Sequence, residues 1–179
     1  MTFVRRTTSV LAAGAAIGVV AGIALGVMWW RLAPRVSVVV RPDSVFPETY
    51  QPDGYLGADV SYAALACIAG IAVTIGLVTM RREHLLSSLW AAFVAGTIGS
   101  ILMWVVGTRL GSVDISGLSA TIEDKVVVEA PLQLTMPALV LMWPLMAALV
   151  ITVLAFADWW SDFRSRRSEQ LLPGSHRSP

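Results

Sequence analysis

Residues 9–30 read SVLAAGAAIGVVAGIALGVMWW. The run contains no Asp, Glu, Lys, Arg or His. It is long enough to cross the hydrocarbon of a bilayer, which takes about 20 apolar residues. Within it Gly14, Gly18, Gly22 and Gly26 recur at every fourth position, which places them on nearly one helical face. Hydrocarbon gives helices little hydrophobic reason to associate, so close backbone approach must supply the attraction, and small residues four apart permit it. The stretch therefore predicts a transmembrane helix with one face shaped for another helix. A single GxxxG is common in membrane helices. Three overlapping copies flanked by Ala13, Ala15, Ala16, Ala21 and Ala24 make a glycine zipper. The third span offers Ala92, Gly96 and Ser100 as a counterpart, with Gly99 adjacent, and the second offers Ala66, Gly70 and Thr74. The zipper suits a neighbour in the same chain as well as a helix of another chain.

Three more runs are apolar and long enough to span: 61–80, 85–108 and 135–157. The whole chain of 179 residues is 56% hydrophobic and 14% charged, against roughly 45–50% and 25% in soluble domains. The fold class expected is an all-α integral membrane protein: four transmembrane helices with a small extracytoplasmic β element. Residues 1–8 form a cytoplasmic N-terminus and 9–30 the first span. Residues 31–60 form an outer loop, 61–80 the second span and 81–84 a cytoplasmic turn. The third span follows at 85–108, a second outer loop at 109–134, the fourth span at 135–157 and a cytoplasmic tail at 158–179. The first run exceeds the length of a signal-peptide core and ends in Trp29-Trp30-Arg31 instead of a small-residue cleavage site, so it reads as an uncleaved anchor. The link Arg81-Arg82-Glu83-His84 is short enough to force an antiparallel hairpin. Pro144, two turns into the fourth span, predicts a kink, with Trp143 filling the gap beside it.

Orientation follows from the arginines. With the N-terminus inside, Arg5, Arg6, Arg81, Arg82, Arg164, Arg166, Arg167 and Arg177 are cytoplasmic, and only Arg31, Arg35, Arg41, Arg109 and Lys125 are outside. That is the positive-inside bias. It places the chain in the plasma (inner) membrane as a multi-pass protein with both termini cytoplasmic. Trp29 and Trp30 at the outer end, and Trp90, Trp159 and Trp160 at the inner end, fit headgroup anchors. The basic tail after Trp160 fits an amphipathic exit along anionic headgroups, and the end from Pro173 to Pro179 reads as disordered.

Both outer loops carry a β-branched run, Val36-Ser37-Val38-Val39-Val40 and Val126-Val127-Val128. Val38, Val40, Val126 and Val128 are the positions at which the two could pair. A lone two-stranded ribbon is marginal in water. It needs the membrane surface, a third strand or a partner adding a strand, and a self-contained cap over the bundle is the other reading. The turn Asp53-Gly54 closes the first loop. The outer acids Asp43, Glu48, Asp53, Asp59, Asp114, Glu123, Asp124 and Glu129 read as solvated instead of as a cation cage.

Catalytic motifs are missing. The sequence holds no phosphate loop, nucleophile elbow or HExxH. Its one cysteine, Cys67, and two separated histidines, His84 and His176, make no metal spacing. No catalytic, cofactor-binding or metal residue is expected, and a net charge of +1 gives no field for nucleic acid. Pumps and coupled transporters need ionisable groups within the membrane. Here the depth offers only hydroxyls such as Thr74, Ser87, Ser88, Thr97, Ser100 and Thr152, which carbonyls of their own helices can satisfy. The function expected is a non-catalytic accessory or scaffold subunit of a larger membrane complex. Its partners are the lipid bilayer, other permease-type membrane subunits and a possible lipid. The alternatives are a stand-alone small transporter and a passive lipid-binding membrane protein.

Trp29-Trp30-Arg31-Leu32-Ala33-Pro34, Asp53-Gly54, the Arg81-Arg82 turn, and Pro131-Leu132 leading to Leu141-Met142-Trp143-Pro144 resemble an actinobacterial family of small four-span membrane proteins of unknown function. The resemblance covers Gly14 to about Ala157. In size and layout the chain is also similar to an accessory subunit of the mycobacterial Mce (mammalian cell entry) lipid importer, an ATP-driven multisubunit machine. That similarity implies contact with a permease through the glycine zipper or the face of the fourth helix, with substrate handled by other chains. The orientation is checked by reporter fusions. Alkaline phosphatase fused after Gly111 is expected to be active, and the same enzyme fused after Pro179 inactive; the reverse pattern inverts the topology.

Overall fold

The computed structural model describes residues 2–41, 44–47, 52–80, 85–114 and 126–170. Helix α1 runs Thr2–Leu32 and is followed by strands β1 (Ser37–Arg41) and β2 (Ser44–Pro47). Helices α2 (Pro52–Met80) and α3 (Leu85–Leu110) come next, then β3 (Val126–Glu129). A 3-10 turn at Pro137–Leu141 leads directly into α4 (Met142–Gln170). All four α-helices are long and apolar enough to cross a membrane. The expected turn Arg81-Arg82-Glu83-His84, the acids Asp43, Glu48, Glu123 and Asp124, Lys125, and the tail from Pro173 lie outside the described residues.

Two helix starts differ from the sequence reading. Helix α2 begins at Pro52, not near Ser61, so Asp53-Gly54 lies in its first turn instead of a loop. Proline at a helix start has no N–H to waste, and an acid in the first turn complements the dipole. Pro144 is the third residue of α4. In a first turn its missing N–H would have no intrahelical acceptor. It therefore follows the change from 3-10 to α geometry.

The bundle is organised around α3. Helices α1 and α3 run in the same direction, since Gly14, Gly18 and Gly22 face Ala91, Ala95 and Gly99 in order. The approach is backbone to backbone. A Cβ at Gly14 would fall 2.6 Å from the carbonyl oxygen of Ala91, and one at Gly18 2.5 Å from that of Ala95. At Gly22 it would fall 2.5 Å from the Gly99 oxygen, and at Gly26 2.8 Å from Cβ of Val106. The zipper is thus filled from within the chain. The face of α3 that fills it lies one residue before the Ala92–Gly96–Ser100 counterpart read from sequence. A second face of α3 meets α4, where a Cβ at Gly96 would lie 3.1 Å from the nitrogen of Pro144. A third presents Ser100 to α2.

At one end, hereafter the sheet end, the strands form a three-stranded antiparallel sheet in the order β2-β1-β3. Val38 stands opposite Val128, and Val40 opposite Val126. On its other edge β1 pairs Val40 with Val45 and Val38 with Pro47. The third strand removes the marginality of a lone ribbon. Val36, Val38, Val40 and Ala130 make a small core of their own.

Leucine at Gly18 or Gly22 would drive a side chain into fixed backbone, for which overpacking costs of about 1–3 kcal/mol are a lower guide. Gly76 has nothing within 4 Å of a built Cβ. Gly18→Leu and Gly22→Leu are expected to lower the thermal unfolding midpoint in detergent by several degrees or more, and Gly76→Leu to leave it unchanged.

Candidate functional site

The densest set of specific contacts sits where the sheet end meets the helices. Asp59 is the buried acid of that joint, 1% exposed. Its Oδ1 accepts from the backbone N–H of Thr135 at 3.0 Å, and its Oδ2 from that of Met136 at 3.1 Å. The Thr135 hydroxyl also donates to Oδ2. These N–H groups stand immediately before the 3-10 turn, where a helix start leaves donors without intrahelical acceptors. A carboxylate from α2 satisfies them, and its charge suits the positive end of the helical segment. Burying a carboxylate is costly unless donors surround it; here there are three. The sequence reading left Asp59 solvated. Its position three before Tyr62 and seven before Ala66 is the helical spacing of the inward face, readable only once α2 is known to start at Pro52.

One turn on, Tyr62 joins three helices. Its hydroxyl lies 2.8 Å from both the Ser100 carbonyl oxygen, to which it donates, and the Ser100 hydroxyl. Its ring meets Trp29 edge-on, centroids 5.1 Å apart and planes at 79°. Trp29 is fully buried, and its Nε1 donates to the Ala58 carbonyl at 3.0 Å. Room for its ring exists because residue 107 is glycine. Trp29 is therefore a packing residue and not a headgroup anchor. Trp90, Trp159 and Trp160 are exposed, as anchors would be.

Trp143 is also fully buried, its ring laid against Gly70, Gly96 and Gly99. Its Nε1 and the Thr74 hydroxyl have no partner among the described residues. Thr74 thus departs from the expectation that hydroxyls bond their own helix. Thr97 and Thr152 do so, to the carbonyls of Phe93 and Ala148 at 2.9 and 2.8 Å.

The remaining singled-out residues fall in separate places. Gly14, Gly18, Gly22 and Gly26 are inside the α1–α3 seam, Gly96 is under Trp143 and Pro144, and Ser100 is on Tyr62. Val38 and Val40 are buried, whereas Val126 is exposed. The sheet is fixed to the helix ends by close contacts, with Val36 over Gly54, Pro34 over Gly57 and Leu132 over Gly111. Hydrogen bonds reinforce it, from Ala130 N–H to the Val36 carbonyl at 2.7 Å and from Leu132 N–H to the Gly111 carbonyl at 3.1 Å. At its rim Arg35 pairs with Glu129 at 2.7 Å.

Helix α4 and the last residue of the 3-10 turn leave one face uncovered, with Leu141, Leu145, Leu149 and Val153 exposed at four-residue spacing. Beyond Leu154 it continues as an unbroken helix exposed on all sides through Arg167. There Phe156 stacks on Trp160 and Trp159 on Phe163, at interplanar angles of 24° and 20°. No group of three metal-ligating side chains occurs among the described residues. The chain matches no family model, no curated protein and no solved structure.

Asp59→Ala removes the acceptor of the Thr135 and Met136 N–H groups and is expected to cost about 3 kcal/mol, whereas Tyr62→Phe removes one neutral donor and costs about 1 kcal/mol. Denaturant unfolding in mixed micelles, followed by Trp fluorescence, gives both values. Equal effects would contradict the assignment of Asp59 as the principal lock.

Proposed function

We propose that the chain is a non-catalytic accessory subunit of a larger plasma-membrane complex. In this reading both termini are cytoplasmic and the three-stranded cap is outside. The observation that carries it is how the polar groups of the membrane-spanning part are used. The one buried carboxylate at a span end, Asp59, is consumed as a helix cap, and no other Asp, Glu, Lys, Arg or His side chain is buried among the described residues. Coupling to protons or ions needs such groups free at depth. With the glycine zipper occupied within the chain, the stripe of Leu141, Leu145, Leu149 and Val153 is one regular exposed apolar face offered to another subunit, beside exposed apolar residues on α1, α2 and α3. The chemistry that suits it is a complementary apolar helix with small residues at its contact points. A permease of an ATP-driven lipid importer of the Mce kind fits that description, and it would supply the energy and the substrate path that this chain does not.

A photo-crosslinking residue at Leu149 in native membranes is expected to capture a permease-type subunit in stoichiometric yield, and one at Ile17 or Val20 on α1 to capture far less. Proton-driven or solute-driven flux through liposomes containing only this chain would overturn the reading.

A further inference from the structure

An open groove of about 380 Å³ at the sheet end is lined by Trp30, Arg31, Ala33, Arg35 and Glu129. Its charges are unevenly used. Arg35 is committed, with Nη1 on the Glu129 carboxylate at 2.7 Å and Nη2 on the Trp30 carbonyl at 3.1 Å. Arg31 has no hydrogen-bond or ion-pair partner among the described residues; its guanidinium lies 5.7 Å from the Trp30 ring centre, and that of Arg35 lies 5.8 Å from it. Glu129 gives one oxygen to Arg35 and leaves the other without a partner among the described residues, on a side chain 64% exposed. The groove therefore offers one available cation and one available anionic oxygen beside an aromatic ring.

Its level in the bundle is set by the helix that carries it. Arg31 and Trp30 close the apolar run of α1, and Met28 and Leu32 beside them are exposed. Exposed apolar side chains ending at an arginine and a tryptophan mark the boundary between hydrocarbon and headgroups. A ligand there sits at the end of the apolar run, beside the Trp30 ring and both charges.

We propose that this groove holds the headgroup of an ammonium-bearing zwitterionic phospholipid, its phosphate on Arg31 and its ammonium on the free oxygen of Glu129. Arginine is the side chain suited to phosphate. A purely anionic headgroup could use Arg31 but would leave the second Glu129 oxygen without a cationic partner. The lipid is favoured over a free phosphate ester because the groove lies where the apolar run of α1 ends.

The full chain, delipidated in detergent, is titrated with phosphatidylethanolamine, phosphatidylglycerol or phosphoethanolamine, and adducts are counted by native mass spectrometry. Phosphatidylethanolamine is expected to bind in preference to phosphatidylglycerol. Arg31→Gln should weaken it about fivefold, the scale of a surface ion pair. Glu129→Gln should erase the preference between the two lipids. Arg109→Gln, an exposed arginine of α3 outside the groove, should change nothing. Equal binding of the two lipids by the unaltered chain overturns the proposal, as does Arg31→Gln binding at full strength with an unchanged melting curve. Phosphoethanolamine displacing the lipid at equal concentration would show a site for a soluble phosphate ester and overturn the lipid assignment.

Discussion

The absence of side chains at Gly14, Gly18 and Gly22 lets the backbone of α1 rest on the carbonyls of Ala91, Ala95 and Gly99. Much else depends on that contact. In hydrocarbon, dispersion and weak backbone dipoles are what hold helices, and both fall away within an ångström of separation. Once α1 is seated, Trp29 is carried to the position where Gly107 admits its ring and where Ala58 and Tyr62 receive it. Tyr62 then reaches Ser100, and α1, α2 and α3 are joined at one level. Widening the seam by one methyl would move Trp29 off its acceptor as well as opening the seam.

Polar contacts play the complementary part. Dispersion between smooth apolar helices specifies a separation more firmly than a register along the axis. Directional bonds at the sheet end fix the register: Asp59 to Thr135 and Met136, Trp29 to Ala58, Tyr62 to Ser100. Each lies in a low-dielectric setting, where a satisfied bond is strong and an unsatisfied one costly. A slip of α4 by one residue would strand the Asp59 carboxylate. The core toward the other end of the bundle consists of Leu77, Ala91, Ala92, Ala147 and Ile151 and contains no such bond.

Much of this was readable from residues alone, and the failures have physical causes. Four helices follow from the length of the apolar runs, because a bilayer sets a minimum length and few other structures satisfy it. The zipper announced a contact but not its partner. Small residues on α3 occur at 91, 92, 95, 96, 99 and 100, so two adjacent faces were equally plausible and only three-dimensional packing separates them. Pro52-Asp53-Gly54 has the composition of a turn and the position of a helix start. Choosing the turn hid Asp59, which becomes an inward residue only when α2 is extended. Strand β2 was missed because Ser44–Pro47 is short and bounded by prolines; its stability comes from pairing with β1, not from local preference. Trp29 was misplaced because adjacent tryptophans at a span end suggest anchors, and nothing in Trp29-Trp30 distinguishes the ring that faces Gly107 from the ring that faces water.

These arrangements constrain what the molecule can do. A protein that moves a solute must exchange one set of internal contacts for another of similar energy. Here the α1–α3 seam from Gly14 to Gly22 is mainly backbone on backbone, with few side chains to rearrange, and the sheet-end bonds would have to break together. The places with contacts to spare are outside that framework: the uncovered stripe of α4, its aromatic extension, and the groove beside Trp30. The unpartnered Trp143 Nε1 and Thr74 hydroxyl lie among the faces α4 shares with α2 and α3, where bonds are fewest. Helix α4 is held at its start by Asp59 and along its length by apolar contact, so among the described residues its register rests on that polar anchor.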